Sequence, residues 1–406
     1  MTTEKWTIVV VGQSPTLAHG QAKMIGYLLE HHYQNTSMRY VPMNFSARID
    51  EIGKPSARKV LHLFHVIFRL WYVAVALRLR GIRSVLYFPP AGPHLAPVLR
   101  DIVLLGLTRP LFTRTIFHFH AAGLGEFRRH VPLILRPLFD WAYRRADVTV
   151  ATTVSGLKDG QSLDALTNLV VYNGVSELPA HIARSRDPQP SVVRILFVGI
   201  LKEDKGVLIL LEALRLLKKS GMNFDAHLIG TFQSVDLQNR ALALLKAANL
   251  ERDVLFEGEL HGDRLFQAYA DADIFCFPSF FAAESFGLVC VEAMRATLPV
   301  VATNWRGIPE VVQHGQTGFI VPPRSADHLA NALAQLISDP QLRAECGRRG
   351  RERYLSHFTV DRFCAGMGDV FSLVTGQQSQ GLDHSVAVQG TNYDESHKSS
   401  VVSTAK

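Results

Sequence analysis

Residues 271–294 read DADIFCFPSFFAAESFGLVCVEAM. The run 274–277 is β-branched and aromatic and stops at Pro278, the signature of a short buried strand. From Phe286 onward the apolar positions 288, 289, 291, 293 and 294 are too dense for a surface helix, so the spacing predicts a largely buried one. Within this strand, loop and helix stand two acids, Glu284 just ahead of the first turn and Glu292 about two turns on. On a continuous helix they would lie roughly 12 Å apart along the axis. A buried carboxylate needs hydrogen-bond partners, from a ligand or from the protein itself.

The same alternation of short strand and longer helix runs outward through almost the whole chain. Strands are predicted at TIVVVG, MRYVPM, SVLYFPP, TIFHFHAA, VTVATT and LVVYNG in the first half, and at RILFVG, DAHLIG, VLFEGEL, DIFCFPS, PVVATN and TGFIVPP in the second. Such alternation implies parallel sheets covered by helices on both faces, here two doubly wound α/β domains in tandem. Residues 1–175 form the first domain and 176–357 the second. SELPAHIARSRDPQPS (176–191), rich in Pro, Ser and charge, reads as the linker. Residues 377–406 are polar and aperiodic and read as a disordered tail.

Composition agrees: 406 residues, 47% apolar and 19% charged, exceed the size of one core and describe an ordinary globular protein. VLHLFHVIFRLWYVAVALRLR (60–80) is the longest apolar stretch. His62, His65, Arg69 and Arg78 interrupt it, so it reads as an amphipathic helix, buried on one face and meeting solvent or a membrane surface with the other, rather than a span. The opening MTTEKWTIVVVG has a strand where a signal peptide would carry a longer apolar segment, and the expected location is cytoplasmic. Cys276, Cys290, Cys346 and Cys364 are scattered without CxxC pairs and read as reduced, buried thiols. Residues 1–175 carry 20 Lys and Arg against 10 Asp and Glu, whereas 176–406 carry 23 against 26. The basic half suits an anionic membrane face or a phosphate-bearing substrate, or simply a solvated surface. A nucleic-acid partner is not expected, because no recognition motif or basic stripe interleaved with aromatics is present.

Ligands of parallel sheets bind at the carboxyl ends of strands, where helix N-termini offer free N–H groups. The backbone of Phe286, Gly287 and Leu288 is one such place, with Glu284 positioned for sugar hydroxyls and Glu292 for a vicinal diol. The alternative for each glutamate is a structural ion pair or cap. RILFVGILKEDKGV places Lys202 and Lys205 before a helix beginning near Gly206, suited to a diphosphate or, alternatively, forming a solvent-facing charge cluster. TIFHFHAAGLGEF puts His118 and His120 two apart at a strand's end, on one face. They read either as a sugar contact and proton carrier or as satisfied core histidines. In QSPTLAHGQAK, Pro15 and Gly20 break the loop after the first strand, and Gly20 reads as a phosphate approach or an ordinary turn.

Together these segments resemble the retaining family 4 glycosyltransferases of GT-B fold over most of the chain. ESFGLVCVE (284–292) is similar to the family's E-x7-E signature, with AMRATLPVVATNWRGIPEVVQHGQTGFIVPP following as in family members. VVYNGV and FVGILKEDKG resemble the segments that close the first domain and form the basic loop. The resemblance implies two Rossmann-like domains with an interdomain cleft, and a last helix near 358–376 crossing back to the first domain. It implies that His120 and Glu284 act at the donor sugar, that Glu292 holds the ribose, and that Lys205, Gly20 and the backbone of 286–288 meet the diphosphate. His118 and Lys202 are the alternates. Two departures stand out: Ile200 where an arginine is usual, and a single Gly20 after His19 where many members have two glycines.

The implied activity is transfer of a sugar from a nucleotide-sugar to a glycan or lipid-linked acceptor with retention of configuration. Bacterial surface polysaccharide or glycolipid synthesis is the implied setting, peripheral to the inner face of the cytoplasmic membrane. No Asp-x-Asp pair stands at a comparable strand end, so a metal-independent reaction without cofactor is expected. Ile200 leaves a non-catalytic sugar-nucleotide-binding relative as the alternative, and an epimerase of similar two-sheet architecture is disfavoured by the E-x7-E block.

Overall fold

The computed structural model describes residues 6–14, 20–33, 36–45, 56–186, 191–377 and 387–389. The chain divides into two compact units. The first gathers described residues up to Ala151, then Gly156–Val171 and those from Ala365 on; the second holds Thr152–Ser155 and Tyr172–Cys364.

In the first unit the strands are β1 (Trp6–Gly12), β2 (Thr36–Pro42), β3 (Arg83–Phe88), β4 (Arg114–Phe119), β5 (Val148–Ala151) and β6 (Thr167–Val170). They pair in parallel in the order β6-β5-β4-β3-β1-β2. The second unit holds β7 (Val193–Val198), β8 (Phe224–Ile229), β9 (Val254–Gly258), β10 (Ile274–Phe277), β11 (Val300–Thr303) and β12 (Gly318–Val321), ordered β12-β11-β10-β7-β8-β9. Central strands such as β1 and β10 are buried along their whole length, which is why they read as unbroken apolar runs. In the second sheet the strand order reverses between β7 and β10, and ligands of such sheets sit outside the carboxyl ends at that reversal.

The helix Ala57–Leu79 joins β2 to β3. Ser56 caps it, its Oγ accepting from the Lys59 N–H, and Val66, Leu70, Ala74 and Leu77 face the core. The helix Val360–Thr375 passes from the second unit to the first. There Arg114 Nη1 donates to the Val374 carbonyl at 2.8 Å, and Phe371 meets Tyr33 and Tyr87 edge to face.

Three expectations are corrected. Within the stretch read as a disordered tail, β13 (Ala387–Gln389) pairs antiparallel with β6, whose open edge offers unpaired backbone groups; the other residues beyond 377 lie outside the described set. The linker residues 176–186 are held along the second unit. Arg184 Nη2 binds Asp273 at 2.5 Å and the Ser185 N–H binds Asp271 at 2.7 Å, so its charges serve as fasteners. Phe286 and Gly287, read as the start of the helix, are not helical: the helix is Leu288–Arg295, and Glu292 lies little more than one turn inside it, Gly287 having a left-handed backbone that starts the helix late.

Candidate functional site

The second unit's site is built by the two loops that leave β7 and β10 at the reversal. After β7 a single 3-10 turn, Glu203–Lys205, ends at Gly206, whose φ of 81° favours glycine. A Cβ there would meet the Pro278 carbonyl at 2.2 Å. That close approach, with the Phe280 N–H donating to the Asp204 carbonyl at 2.7 Å, presses the basic turn onto the loop after β10.

The consequence is an ion pair. Lys205 Nζ lies 2.5 Å from Glu284 Oε2, with side chains only 19% and 12% exposed. The Ser279 hydroxyl donates to the same oxygen at 3.2 Å, and the Lys205 ammonium stands 4.8 Å from the centre of the Phe281 ring. Lys202 instead pairs with Asp204 at 2.7 Å, and Ile200 points partly into solvent. Both members of the Lys205–Glu284 pair are felt at Cys290, in the first turn of the helix Leu288–Arg295. Burial raises that thiol, Glu284 raises it further and Lys205 opposes.

Gly287 has φ 77°, and a Cβ there would touch nothing closer than 3.5 Å, so the backbone dihedral, not crowding, calls for glycine. Phe286 sends its ring into the core against Phe358, leaving its backbone to the loop. Glu292 is buried and accepts from the Tyr269 hydroxyl at 3.0 Å. Burial first, and then this carboxylate, push the Tyr269 hydroxyl well above its ordinary range, which keeps it a donor.

In the first unit β4 ends at His118 and His120. His118 is fully buried and its Nδ1 is hydrogen-bonded to the Tyr87 hydroxyl at 2.6 Å; the two imidazoles lie 4.0 Å apart. Burial lowers both, His120 to about 3, with His120 adding to the effect on His118, so both are neutral at neutral pH. The loop that follows is clamped by Asp159, which accepts from the Gly123 and Gly125 N–H groups at 2.8 Å each. A Cβ at Gly125 would meet Ser162 Oγ at 1.8 Å, so this glycine serves packing. Gly20 opens the helix Gly20–Glu30, while Pro15 and His19 lie outside the described residues. The structure thus joins Lys205 to Glu284 and His118 to His120.

Three residues escaped the sequence reading: Tyr269, Asp159 and Glu310. Glu310 accepts from the Val154 and Ser155 N–H groups at 2.6 and 2.8 Å, fixing Thr152–Ser155 within the second unit. For Asp159 and Glu310 the hint was an acid beside a glycine or a proline; nothing local marked Tyr269, which lies inside a helix.

Residues 184–353 match the family model described as glycosyl transferases group 1. The Escherichia coli protein WcaL, named for a colanic acid biosynthesis glycosyltransferase, is 30% identical over 289 residues, 69% of this chain and 67% of that protein. The chain belongs to the group 1 glycosyltransferases. A sulfoquinovosyl transferase of Arabidopsis thaliana is 26% identical over 310 residues, 69% of this chain; the match spans 56% of that relative, and under half of several others. The fold of this glycosyltransferase-family chain is also that of Anabaena HepE, solved in complex with UDP-glucose, with a TM-score of 0.64, 18% identity, and coverage of 90% of this chain and 99% of HepE. Two tandem Rossmann-like domains of GT-B type are the shared architecture.

Proposed function

We propose that the chain is a retaining glycosyltransferase that moves a sugar from a nucleoside diphosphate to a glycan or lipid-linked acceptor. The observation that carries this reading is the Lys205–Glu284 pair at the sheet reversal, beside the helix that begins at Leu288. When a glycosidic bond to a diphosphate breaks, negative charge grows on the leaving oxygen. A lysine ammonium and the free N–H groups of a helix start stabilise such charge more in the transition state than before it.

Lys205 takes the diphosphate in this scheme, and the backbone of Phe286, Gly287 and Leu288 meets its oxygens. Glu284, released from Lys205, accepts from donor-sugar hydroxyls. Glu292 accepts from the ribose diol, with Tyr269 orienting the carboxylate. In the first unit, neutral His120 hydrogen-bonds a sugar hydroxyl, His118 backs it, and Gly20 offers backbone to phosphate. With Lys205 and the N–H groups at the helix start supplying the stabilisation, the reaction proceeds without a metal. HepE, with its bound UDP-glucose, and relatives named for colanic acid biosynthesis and for sulfoquinovosyl transfer support the donor and acceptor classes. The four buried cysteines, none of them in a disulfide, support a reducing, cytoplasmic setting.

Release of free nucleoside diphosphate from UDP- and GDP-sugars, with a lipid-linked acceptor and in the presence of EDTA, tests the reading. Turnover lost in Glu284→Ala and unaffected by chelation is expected. Loss of all activity on EDTA treatment, recovered only with Mg2+ or Mn2+, contradicts metal independence. The exposed Ile200 and the Lys202–Asp204 pair, which leave Lys205 as the cation bound to Glu284, favour one second reading, a non-catalytic sugar-nucleotide-binding relative. Nucleotide-sugar binding without any diphosphate release would establish it.

A further inference from the structure

The helix Ala57–Leu79 has a second apolar face that the fold does not use. Leu61, Phe64, Phe68, Tyr72, Val75 and Leu79 follow one another by three or four residues, so they form one stripe, and all are exposed, Phe68 by 71%. The stripe does not end with the helix. Trp71 Nε1 donates to the Leu107 carbonyl at 3.1 Å and Trp141 Nε1 to the Gly106 carbonyl at 3.3 Å, which brings both indoles to the end of the helix Leu95–Thr108. Leu138, exposed, sits one turn before Trp141. Leu133 and Ile134, exposed by 74% and 84%, precede it on a short 3-10 turn.

By length and composition this helix could cross a membrane. Its place in the fold forbids that. It connects two strands of one parallel sheet, and Val66, Leu70, Ala74 and Leu77 on its other face belong to the core. A helix anchored along one side can only lie flat, with the free side in the plane of an interface.

The rim of this face is basic. The helix carries Arg58, Lys59, Arg69 and Arg78 and no acid, and Arg80 follows it. On the other side stand the exposed Arg129 and Arg145, with Arg144, paired to Asp164, following the helix Arg136–Tyr143. A second copy seated here would bring arginine rim against arginine rim, which repels. An anionic bilayer complements both parts: acyl chains take the stripe, lipid phosphates take the rim, and the two tryptophans sit at the boundary where indoles partition.

We propose that this surface of the first unit inserts in-plane into the headgroup region of an anionic membrane, with Phe68, Tyr72 and Ile134 entering it and the arginines pairing with lipid phosphates. The surface is independent of the donor-site reading, and its test uses no nucleotide. Full-length protein is floated with phosphatidylcholine vesicles, with and without phosphatidylglycerol, and its tryptophan fluorescence is followed with brominated lipids. Binding to the phosphatidylglycerol vesicles with quenching is expected. Phe68→Ser with Ile134→Ser, and separately Arg69→Glu with Arg129→Glu, should each lower the partition constant about tenfold or more, all four side chains being exposed and their loss leaving the melting temperature in place. Trp141→Phe should remove part of the quenching. No binding to phosphatidylglycerol vesicles, binding untouched by the serine pair, or a dimer in light scattering that the serine pair dissolves would each overturn the proposal.

Discussion

The strand ends that bear candidate residues in the two units solve opposite electrostatic problems. In the second unit, loops after β7 and β10 hold a cation and an anion against each other, Lys205 on Glu284, largely out of water. In the first unit, the end of β4 carries two imidazoles 4.0 Å apart and tilted to one another, which burial keeps neutral. A paired lysine is a charge in waiting for a phosphate, while a neutral histidine is a hydrogen-bond partner without field. The difference teaches that fixed charge is concentrated at the β7/β10 reversal, whereas the β4 end presents neutral hydrogen-bonding groups.

The largest effect that would break this comparison is at Lys205. Lys205→Ala should lower kcat/KM by about 10²–10³-fold if the lysine meets charge that develops in the transition state, as measured by diphosphate release. A loss under about fivefold, within the reach of a surface ion pair, would mean that the pair is structural.

Next comes Asp159, which positions the β4 loop. Asp159→Ala leaves two backbone N–H groups without their acceptor, each worth about 1–3 kcal/mol when buried. A clear fall in denaturation midpoint is expected, with a larger proportional loss in activity than in donor binding. Equal losses in both would contradict a positioning role confined to the first unit.

Acid sharpens the contrast further. His118 and His120 are depressed in the folded protein, whereas an unfolded histidine titrates near 6.5, so below that pH the unfolded state binds more protons and stability falls. Above pH 6.5 these groups contribute no pH dependence. Melting temperatures between pH 7.5 and 4.5 should decline less steeply in His120→Asn than in the wild type. The smallest effect is at Tyr87→Phe, which removes one hydroxyl from His118 and should cost about 1 kcal/mol in urea unfolding, with donor binding unchanged.

Most of this was legible in the chain itself, for identifiable reasons. Most of the twelve parallel strands are short apolar runs closed by glycine, proline or a polar residue, a pattern set by burial of the central strands on both faces, whereas the edge strand β2 (TSMRYVP) alternates and stays half exposed. The placement of Lys205 and Glu284 in loops that leave strands, and of the histidine pair at the end of β4, was legible because the local pattern changes there. What could not be read depends on partners far along the chain. Asp159 meets a loop more than thirty residues away. Tyr269 reaches Glu292 from the preceding helix. The linker's Arg184 finds Asp273 and its Ser185 N–H finds Asp271, each nearly ninety residues on. The late helix start at Leu288 turned on one left-handed glycine, which a helical-spacing reading passes over.

The most direct measurement of the central claim is calorimetric titration of UDP, GDP and ADP into the wild type, Lys205→Ala and Glu292→Ala. The expected result is that one nucleotide binds the wild type and that both variants lose most of that affinity, Lys205→Ala through the diphosphate and Glu292→Ala through the ribose. Binding of none of the three, or binding that survives both substitutions, would contradict a donor site at the β7/β10 reversal.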